Sequence, residues 1–497
     1  MFLPGEISHC GGKADVVTRG EKSAKAVVAE TRRAEREGER KSVSVEDAAH
    51  QKSVKERPER ASREAAGWSC RGEASLVRQS DGSSGGANLL AQALTRENLV
   101  LAWKRVKANQ GSAGVDVWSV QETGEYLKLH WPQLKVELLN ETYRPSRIRR
   151  VEIPKSGGGM RELGIPTVLD RLIQQALLQV LQPLIDPGFS EHSYGFRPGR
   201  RAHDAVLRAQ AHVQAGYRVV VDVDLEKFFD RVNHDVLLDR LARRIGDPAV
   251  LRLIHRYLQA GVMVNGVVQE RYEGTPQGGP LSPLLANVLL DEVDRELERR
   301  GHRFVRYADD CNVYVRSQKA GERVMAGLRK TYERLRLKIN ESKSAVANAF
   351  GRKFLGYALW RAPRDEVKRA VANAALDALK GRLREITKRN RGRSMSQVVE
   401  ELRRYLPGWK SYFRLAQTPG VLRELDEWLR HRLRTLHLKH WRRGSTVFRE
   451  VRSLGASPER AARIAGSTSS WWRNGCGDLN GILTIGYFDR LGVPRLS

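Results

Sequence analysis

VVVDVDLEKFFD, residues 219–230, and RYADDCNVYV, residues 306–315, decide the reading of this 497-residue chain. Each is an apolar, β-branched run that delivers carboxylates at or near its end. The first offers Asp222 and Asp224, the second the adjacent pair Asp309 and Asp310 between two strand-like halves, FVRYA and CNVYV. Strands place side chains with little freedom, and carboxylates held together repel unless a cation lies between them. Clustered hard oxygen donors suit Mg²⁺, which keeps coordination sites for water and substrate phosphates. Two such ions activate a hydroxyl nucleophile and stabilise a departing pyrophosphate, which is the chemistry of nucleotide transfer. Asp-Asp is also ordinary turn composition, and an Asp at a strand end is often a cap. The pair gains weight from its surroundings.

Working outward, the formal charge of +29 points to a polyanionic partner. Residues 1–90 hold 16 Lys and Arg against 14 Asp and Glu, so they contribute almost none of it. Residues 361–450 hold 23 against 10, a net of +13, so the basic surface peaks after the carboxylate motifs. The four cysteines, Cys10, Cys70, Cys311 and Cys476, form no CxxC pairs and have no zinc-ligand spacing. The opening MFLPGEISHCGGK lacks the apolar core of a signal peptide, and no run approaches a membrane span. A cytoplasmic protein with no membrane partner is expected, associated with the nucleoid when it meets DNA.

Residues 1–88 are expected to be disordered. From Glu21 to Arg60 there is no Leu, Ile, Met, Phe, Tyr or Trp to offset the ordering of the chain. Order begins near Leu89, with Thr95 as the expected cap of the helix NLVLAWKRVKAN. RPSRIRRVEIPK, SGGGM and RELGIP read as strand, turn and strand, a basic hairpin with Lys155 and Arg161 near its tip. Two cations on such a flap suit a triphosphate, Arg as a fork and Lys as a point charge. An amphipathic helix follows from Asp170 to Ile185, then SYGFRPGR (193–200) and a helix from Ala202. Ser282 and Pro283 are expected as N-cap and first residue of the helix after TPQGGPLSP (275–283). From about Arg361 the chain is helical, basic and aromatic.

The carboxylate stretches, with TPQGGPLSP between them and the basic hairpin before them, resemble the palm and fingers of a reverse transcriptase. GWKSYFRLA (408–416), LDEWLRHRLRTLHLKHWRR (425–443) and the ending WWRNGCGDLNGILTIGYFDRLGVPRL resemble the thumb and maturase (X) domain of group II intron-encoded proteins. The resemblance covers about residues 89–497. It implies an α+β right-hand polymerase, whose antiparallel palm sheet carries the catalytic aspartates, followed by an α-helical thumb/maturase domain. The corresponding division is 89–215 for N-terminal helices and fingers, 216–360 for the palm and 361–497 for the thumb/X region.

Strand alternation puts Asp222 and Asp224 on one face and does not choose between them. The family pattern, with its carboxylate five residues before the second aromatic, selects Asp224. Asp224, Asp309 and Asp310 are then the implied catalytic residues, and with the Leu225 carbonyl they are the implied ligands of two Mg²⁺ ions. The resemblance further implies dNTP binding by Lys155, Arg161 and Gln277, with Phe229 as a steric gate against a 2′-hydroxyl. Primer, template or RNA contacts are implied for Arg197, Tyr307, Lys343, Gly356 and Tyr357. Trp409, Tyr412, Arg432, Arg434 and Trp441 join them, because interleaved aromatics and cations suit structured RNA.

The implied protein is a reverse transcriptase and maturase of a mobile intron, acting in splicing and retrohoming. Its partners would be group II intron RNA, an RNA template with a DNA primer, target DNA and dNTPs. The absence of paired cysteines near Cys476 implies no C-terminal HNH endonuclease, and hence a primer such as a nascent strand at a replication fork. Two rival readings remain: a retron, diversity-generating or defence-linked reverse transcriptase, and an RNA-binding splicing cofactor with an idle polymerase site. The maturase-like tail argues against the first, and the intact Asp224, Gln277, Asp309 and Asp310 against the second.

Overall fold

The computed structural model describes residues 88–154, 160–264, 267–269, 273–466 and 471–497. Residues 1–87 of the stretch expected to be disordered, and Lys155, lie outside the described residues. Three helices open the described chain: α1 (Leu89–Ala93), α2 (Arg96–Asn109) and α3 (Val120–Leu139). Thr95 precedes α2 in extended conformation, but its hydroxyl donates to the Gln92 carbonyl at 2.9 Å instead of capping the helix. Next come β1 (Ile148–Pro154) and β2 (Met160–Ile165), which pair antiparallel from Arg149↔Ile165 to Pro154↔Met160. This is the basic hairpin expected from the alternation, and it puts Arg161 opposite Ile153.

Beyond the hairpin lie α4 (Val168–Ile185), α5 (Ala202–Gln214), β3 (Val219–Val223), α6 (His234–Ala242) and α7 (Pro248–Gln259). The short strands β4 (Val262–Val264) and β5 (Val267–Gln269) extend the hairpin into a sheet of order β2-β1-β4-β5. After α8 (Ser282–Arg299) come β6 (Arg303–Tyr307), β7 (Asp310–Val315), α9 (Gln318–Arg334) and β8 (Ala345–Asn348). Ser282 is the first residue of α8, not its cap, because its hydroxyl donates back to the Pro276 carbonyl at 2.7 Å.

The central sheet has order β6-β7-β3-β8, and every neighbouring pair is antiparallel. Both faces of β3 are covered. Val221 and Val223 join the large core with helices α8 and α9, while Val220 packs with Ala205, Ala209 and Val213 of α5. Burial on both sides explains why β3 reads as continuous β-branched residues. It also explains why the chain tolerates a carboxylate only toward the strand's end.

A second, three-stranded sheet of order β11-β10-β9 is built from β9 (Lys353–Phe354), β10 (Tyr357–Arg361) and β11 (Val367–Val371). The expected junction at residues 360 and 361 thus falls inside β10. The sheet is shared: Leu359 and Val367 pack toward α5 and β3, whereas Tyr357 and Val371 belong to the core that follows. That core is made by α10 (Asn373–Ile386), α11 (Met395–Tyr412), α12 (Pro419–Trp441), α13 (Gly444–Ser453), α14 (Pro458–Gly466), α15 (Trp471–Cys476) and α16 (Ile485–Arg490). The whole is an α+β protein with a helical C-terminal region. Among the described residues no helix is long and apolar enough to cross a membrane.

One buried carboxylate fixes the basic hairpin to this frame. Asp170, at the start of α4, accepts from Tyr143 Oη (2.8 Å) and from Ser146 N (3.1 Å), both ahead of β1. It also accepts from Thr167 Oγ1 (2.6 Å), which follows β2. A single side chain therefore ties together both roots of the hairpin. Burial raises its pKa to about 6, against the lowering pull of these hydrogen bonds. Below about pH 4 folded and unfolded chains both hold the proton, and above about 6 only the folded chain carries a buried charge. The burial penalty is therefore present at pH 7 and relieved on acidification. Asp170→Asn removes this titration. Melting curves should show wild type gaining stability relative to the variant by about 1.3 kcal/mol between pH 7 and 5; parallel pH profiles would refute the assignment.

Candidate active site and nucleic-acid interface

The register of the central sheet brings the acidic residues together. Val223 pairs with Cys311 at the end of β3, so Asp224, the next residue, emerges beside Asp310 and the β6–β7 turn. That turn is closed by the Tyr307↔Asp310 pair and contains Ala308 and Asp309. Ala308 has φ 56°, a left-handed conformation unusual for a residue with a Cβ. Asp309 is half-buried and Asp310 exposed. Burial pushes the Asp309 carboxyl above its ordinary pKa. Its own backbone amide and Arg161 pull it back, while the charge of Asp224 pushes it further up. Asp224 and Asp309 thus stand in one another's field.

Asp224 is held by its main chain. Its N–H donates to Ser344 Oγ (3.0 Å), and its carbonyl accepts from Asn340 N (2.8 Å) and Ser344 Oγ (3.2 Å). Leu225 forms a bridge with Ile339. The same segment brings Lys343 Nζ to 3.9 Å from Asp224 Oδ2, with the lysine largely exposed. Asp222 has a different environment. Its Oδ2 accepts from Arg352 Nη2 at 2.7 Å, and Asn312, with its amide turned to satisfy its neighbours, donates to Oδ1 at 3.0 Å. The two aspartates that strand alternation leaves equivalent differ in these partners: Asp222 is bonded within the sheet, and Asp224 lies near the turn of Asp309.

The hairpin and the glycine loop close over this side. Arg161 Nε donates to Gln277 Oε1 at 2.7 Å, and Gly164 N donates to the Gln277 carbonyl at 2.9 Å. A Cβ on Gly278, at φ 132°, would lie 2.6 Å from the Gly164 carbonyl oxygen, so this approach requires glycine. Phe229 lies in a short 3₁₀ turn, half-buried, with its ring edge-to-face with buried Phe228 at 5.0 Å. Its carbonyl accepts from Thr275 N at 2.7 Å, which fastens it to the same loop. Arg161, Phe229, Gln277, Lys343 and the acidic pair therefore converge.

Among the described residues no three His, Cys, Asp or Glu side chains form a closed metal cluster. The donor set nevertheless fits a hard divalent cation. A half-buried Asp309 carboxyl, pushed up by burial and by the charge of Asp224 beside it, is what such an ion relieves.

Several expected nucleic-acid contacts are placed elsewhere. Arg197 is buried: it donates to Asp186 Oδ1 (3.0 Å) and to the carbonyls of Ser190 (2.6 Å), Ser193 (3.0 Å) and Asp186 (2.9 Å). Its donors are committed inside the fold, so it is a structural joint. Trp409 and Tyr357 are buried too, packed on Phe413 at 4.6 and 5.3 Å. Tyr357 Oη donates to the Tyr412 carbonyl, and Tyr412 Oη to the Leu355 carbonyl. Gly356, at φ 77°, presses against the Phe413 ring. Together they form the seam between the small sheet and α11, not an RNA face. Arg434 is buried as well, donating to the Leu483 carbonyl at 2.9 Å. Aromatics and cations at helical spacing look alike whether they build a seam or a surface. Tyr307 and Trp441 are half-buried, the latter against His437 at 5.2 Å.

Arg432 does reach the surface region, its guanidinium 5.3 Å from the Trp428 ring, with Arg384 at 5.6 Å from the same ring. A second stack was missed in the sequence: Arg389 and Lys439 lie 5.4 and 5.0 Å from the Trp471 ring. Beside it Trp472, 47% exposed, lies on His431. The doublet Trp471-Trp472 before Arg473 was the available signal. These stacks make a cationic, aromatic face across α10, α12 and α15.

A carboxylate pair at a β-hairpin on an antiparallel sheet, beneath a cationic flap, defines a template-directed nucleotide polymerase site. Residues 153–359 match the family described as reverse transcriptase (RNA-dependent DNA polymerase), and residues 376–455 match the group II intron maturase-specific domain. The chain belongs to the group II intron-encoded reverse transcriptase/maturase family.

Similar proteins include Protein YkfC of Escherichia coli, 40% identical over 171 residues, covering 34% of this chain and 45% of that protein. The group II intron-encoded protein LtrA of Lactococcus lactis is 41% identical over 159 residues, 32% of this chain and 26% of LtrA. The putative COX1/OXI3 intron 2 protein of Saccharomyces cerevisiae is 30% identical over 203 residues, 41% and 24% of the respective chains. The chain spans less than half the length of each of these relatives.

The two aspartates of β3 should separate in a primer-extension assay. Asp222→Asn, which weakens a partly exposed ion pair, should cost about 1 kcal/mol of stability and retain extension. Asp224→Asn should fold normally and abolish it. Equal loss in both variants would contradict the separation.

Proposed function

We propose that this chain is an RNA-directed DNA polymerase that copies intron RNA into cDNA and also acts as a maturase promoting splicing of that RNA. The observation that carries the reading is the convergence of Asp224 and Asp309, each in the other's field, beneath Arg161 and Gln277. Asp224 and Asp309, with Asp310 and the Leu225 carbonyl, would hold two Mg²⁺ ions. Bound there, the ions supply the Lewis acidity that activates a primer 3′-hydroxyl and neutralises pyrophosphate.

The chain's own residues do the positioning. Arg161, already fixed by Gln277, faces the triphosphate, and Lys155 of the same hairpin assists it. Gln277 and its glycines border the incoming base, and Phe229 packs against the sugar where a 2′-hydroxyl would stand. The cationic indole faces around Trp428 and Trp471 bind the RNA backbone, since a stacked guanidinium still offers N–H groups to phosphate. Group II intron RNA, an RNA template with a DNA primer, target DNA and dNTPs are the proposed partners.

Purified wild type and Asp309→Ala, assayed for primer extension on RNA and for intron splicing side by side, test the proposal. Extension should be lost and splicing largely kept in the variant. A wild-type protein that splices but incorporates no dNTP at any Mg²⁺ concentration would establish the splicing-cofactor reading instead. Phe229→Ala should raise incorporation of rNTP relative to dNTP by at least about tenfold; unchanged selectivity would remove Phe229 from its proposed role.

A further inference from the structure

SYGFRPGR takes no part in the chemistry above, yet it lies against the turn that carries Asp309. The contact is backbone to backbone. A Cβ built on Gly195 would fall 2.2 Å from Ala308 N, 2.9 Å from Tyr307 C and 3.0 Å from Ala308 Cα. Tyr194 N donates to the Arg306 carbonyl at 2.9 Å, and Arg306 N to the His192 carbonyl at 2.9 Å. The Gly195 carbonyl in turn accepts from Asn287 Nδ2 of α8 at 2.9 Å.

Arg306 completes the arrangement from inside. Its side chain is fully buried, as is that of its partner Asp294. Nε donates to Asp294 Oδ1 (2.8 Å), Nη1 to Asn287 Oδ1 (2.9 Å) and to the Ala308 carbonyl (2.9 Å). Nη2 donates to Ser193 Oγ (2.8 Å) and to Asp294 Oδ2. All five guanidinium donors are engaged, one of them on the catalytic turn. A peptide unit is planar, so fixing the Ala308 carbonyl fixes the plane that ends at Asp309 Cα. Gly195 meanwhile bears on the preceding plane, between Tyr307 and Ala308. Both planes flanking Ala308 are thereby set, and with them its left-handed φ of 56°.

We propose that Arg306, with Asn287 and Gly195, is a positioning apparatus that holds the Ala308 turn so that the Asp309 carboxylate faces Asp224. It acts through the backbone and touches neither substrate nor ion. This inference rests on the polymerase reading of the site.

Gly195→Ala pushes on the turn without removing a charge. Arg306→Lys keeps a cation opposite Asp294 but loses the fork that reaches Ala308. Both are compared with wild type and Asp309→Asn in full-length protein. The measurements are kcat and KM for dNTP, primer–template binding, melting temperature, and Mn²⁺ titration of the protein–primer–template complex by electron paramagnetic resonance.

Both folded variants should bind primer–template as wild type does and keep KM. They should lose kcat by about 100-fold and bind Mn²⁺ about tenfold more weakly, in the direction of Asp309→Asn. Should Arg306→Lys not fold, Gly195→Ala decides. Folded variants with wild-type kcat and Mn²⁺ affinity overturn the inference. So does a loss of primer–template binding in step with kcat, which would mark general disorder. If Asp309→Asn itself leaves Mn²⁺ binding unchanged, the polymerase reading fails first, and the inference with it.

Discussion

Like charges held close near a protein surface repel, and the site around Asp224 and Asp309 holds two carboxylates near enough for one charge to act on the other. A carboxylate can be restrained through its own oxygens, but those oxygens are then no longer available to a ligand. Asp222 shows that alternative, bonded to Arg352 and Asn312. Asp224 is restrained instead through its amide and carbonyl, by Asn340 and Ser344. Asp309 is restrained through the carbonyl one residue earlier, by Arg306. Main-chain restraint holds the two carboxylates near enough for the charge of Asp224 to act on Asp309. The antiparallel register, which carries β3 to Cys311 and no further, provides the common origin of both positions.

The cationic hairpin is built on the same economy of joints. Its roots converge on Asp170, and its second strand, β2, touches the glycine loop through Gly164 and Arg161. Because Thr275 of that loop also holds the carbonyl of Phe229, the flap, the loop and the aromatic are joined by hydrogen bonds into one surface. Whatever fits between Arg161 and the carboxylates is therefore measured against Phe229 at the same time.

Much of this was legible from local pattern. Strands β3, β6 and β7 announced themselves by β-branched runs, the hairpin by alternation around SGGGM, and α4 by apolar spacing. Periodicity alone did not divide Asp222 from Asp224, because period 2 puts both on one face; the family resemblance chose Asp224, and in the fold Asp222 is distinguished by Asn312 and by Arg352, 130 residues away in sequence. Caps misled for a similar reason: the hydroxyls of Thr95 and Ser282 donate to the carbonyls of Gln92 and Pro276 instead of accepting from the free N–H groups at the helix starts. Arginines were the hardest to place. Among 87 basic residues, Arg197, Arg306 and Arg434 are interior, and composition cannot tell them from Arg389. Arg306 did leave a trace. In FVRYA it interrupts a run whose neighbours are apolar on both faces, and a strand covered on both sides has no exterior for a cation to reach.

The interior and exterior arginines differ in what they have left to give. Arg430, between Asp426 and Asp489, and Arg434, on the Leu483 carbonyl, have exchanged water for fixed partners within the C-terminal helices. A buried pair of this kind adds little net stability over apolar packing but penalises every arrangement that separates it. Arg384 and Arg389 lie instead over indole rings, and Arg432 shares the Trp428 ring while its Nε donates to Thr387 Oγ1 at 2.7 Å. A long cationic side chain free in solvent carries about 2 kcal/mol of rotamer entropy, and stacking removes part of it while leaving N–H edges exposed. A phosphate backbone arriving at that face meets donors already ordered in direction. The same residue type thus builds the rigid helical frame from within and presents an ordered cationic surface from without, and the tryptophans beneath it decide which arginines do the second.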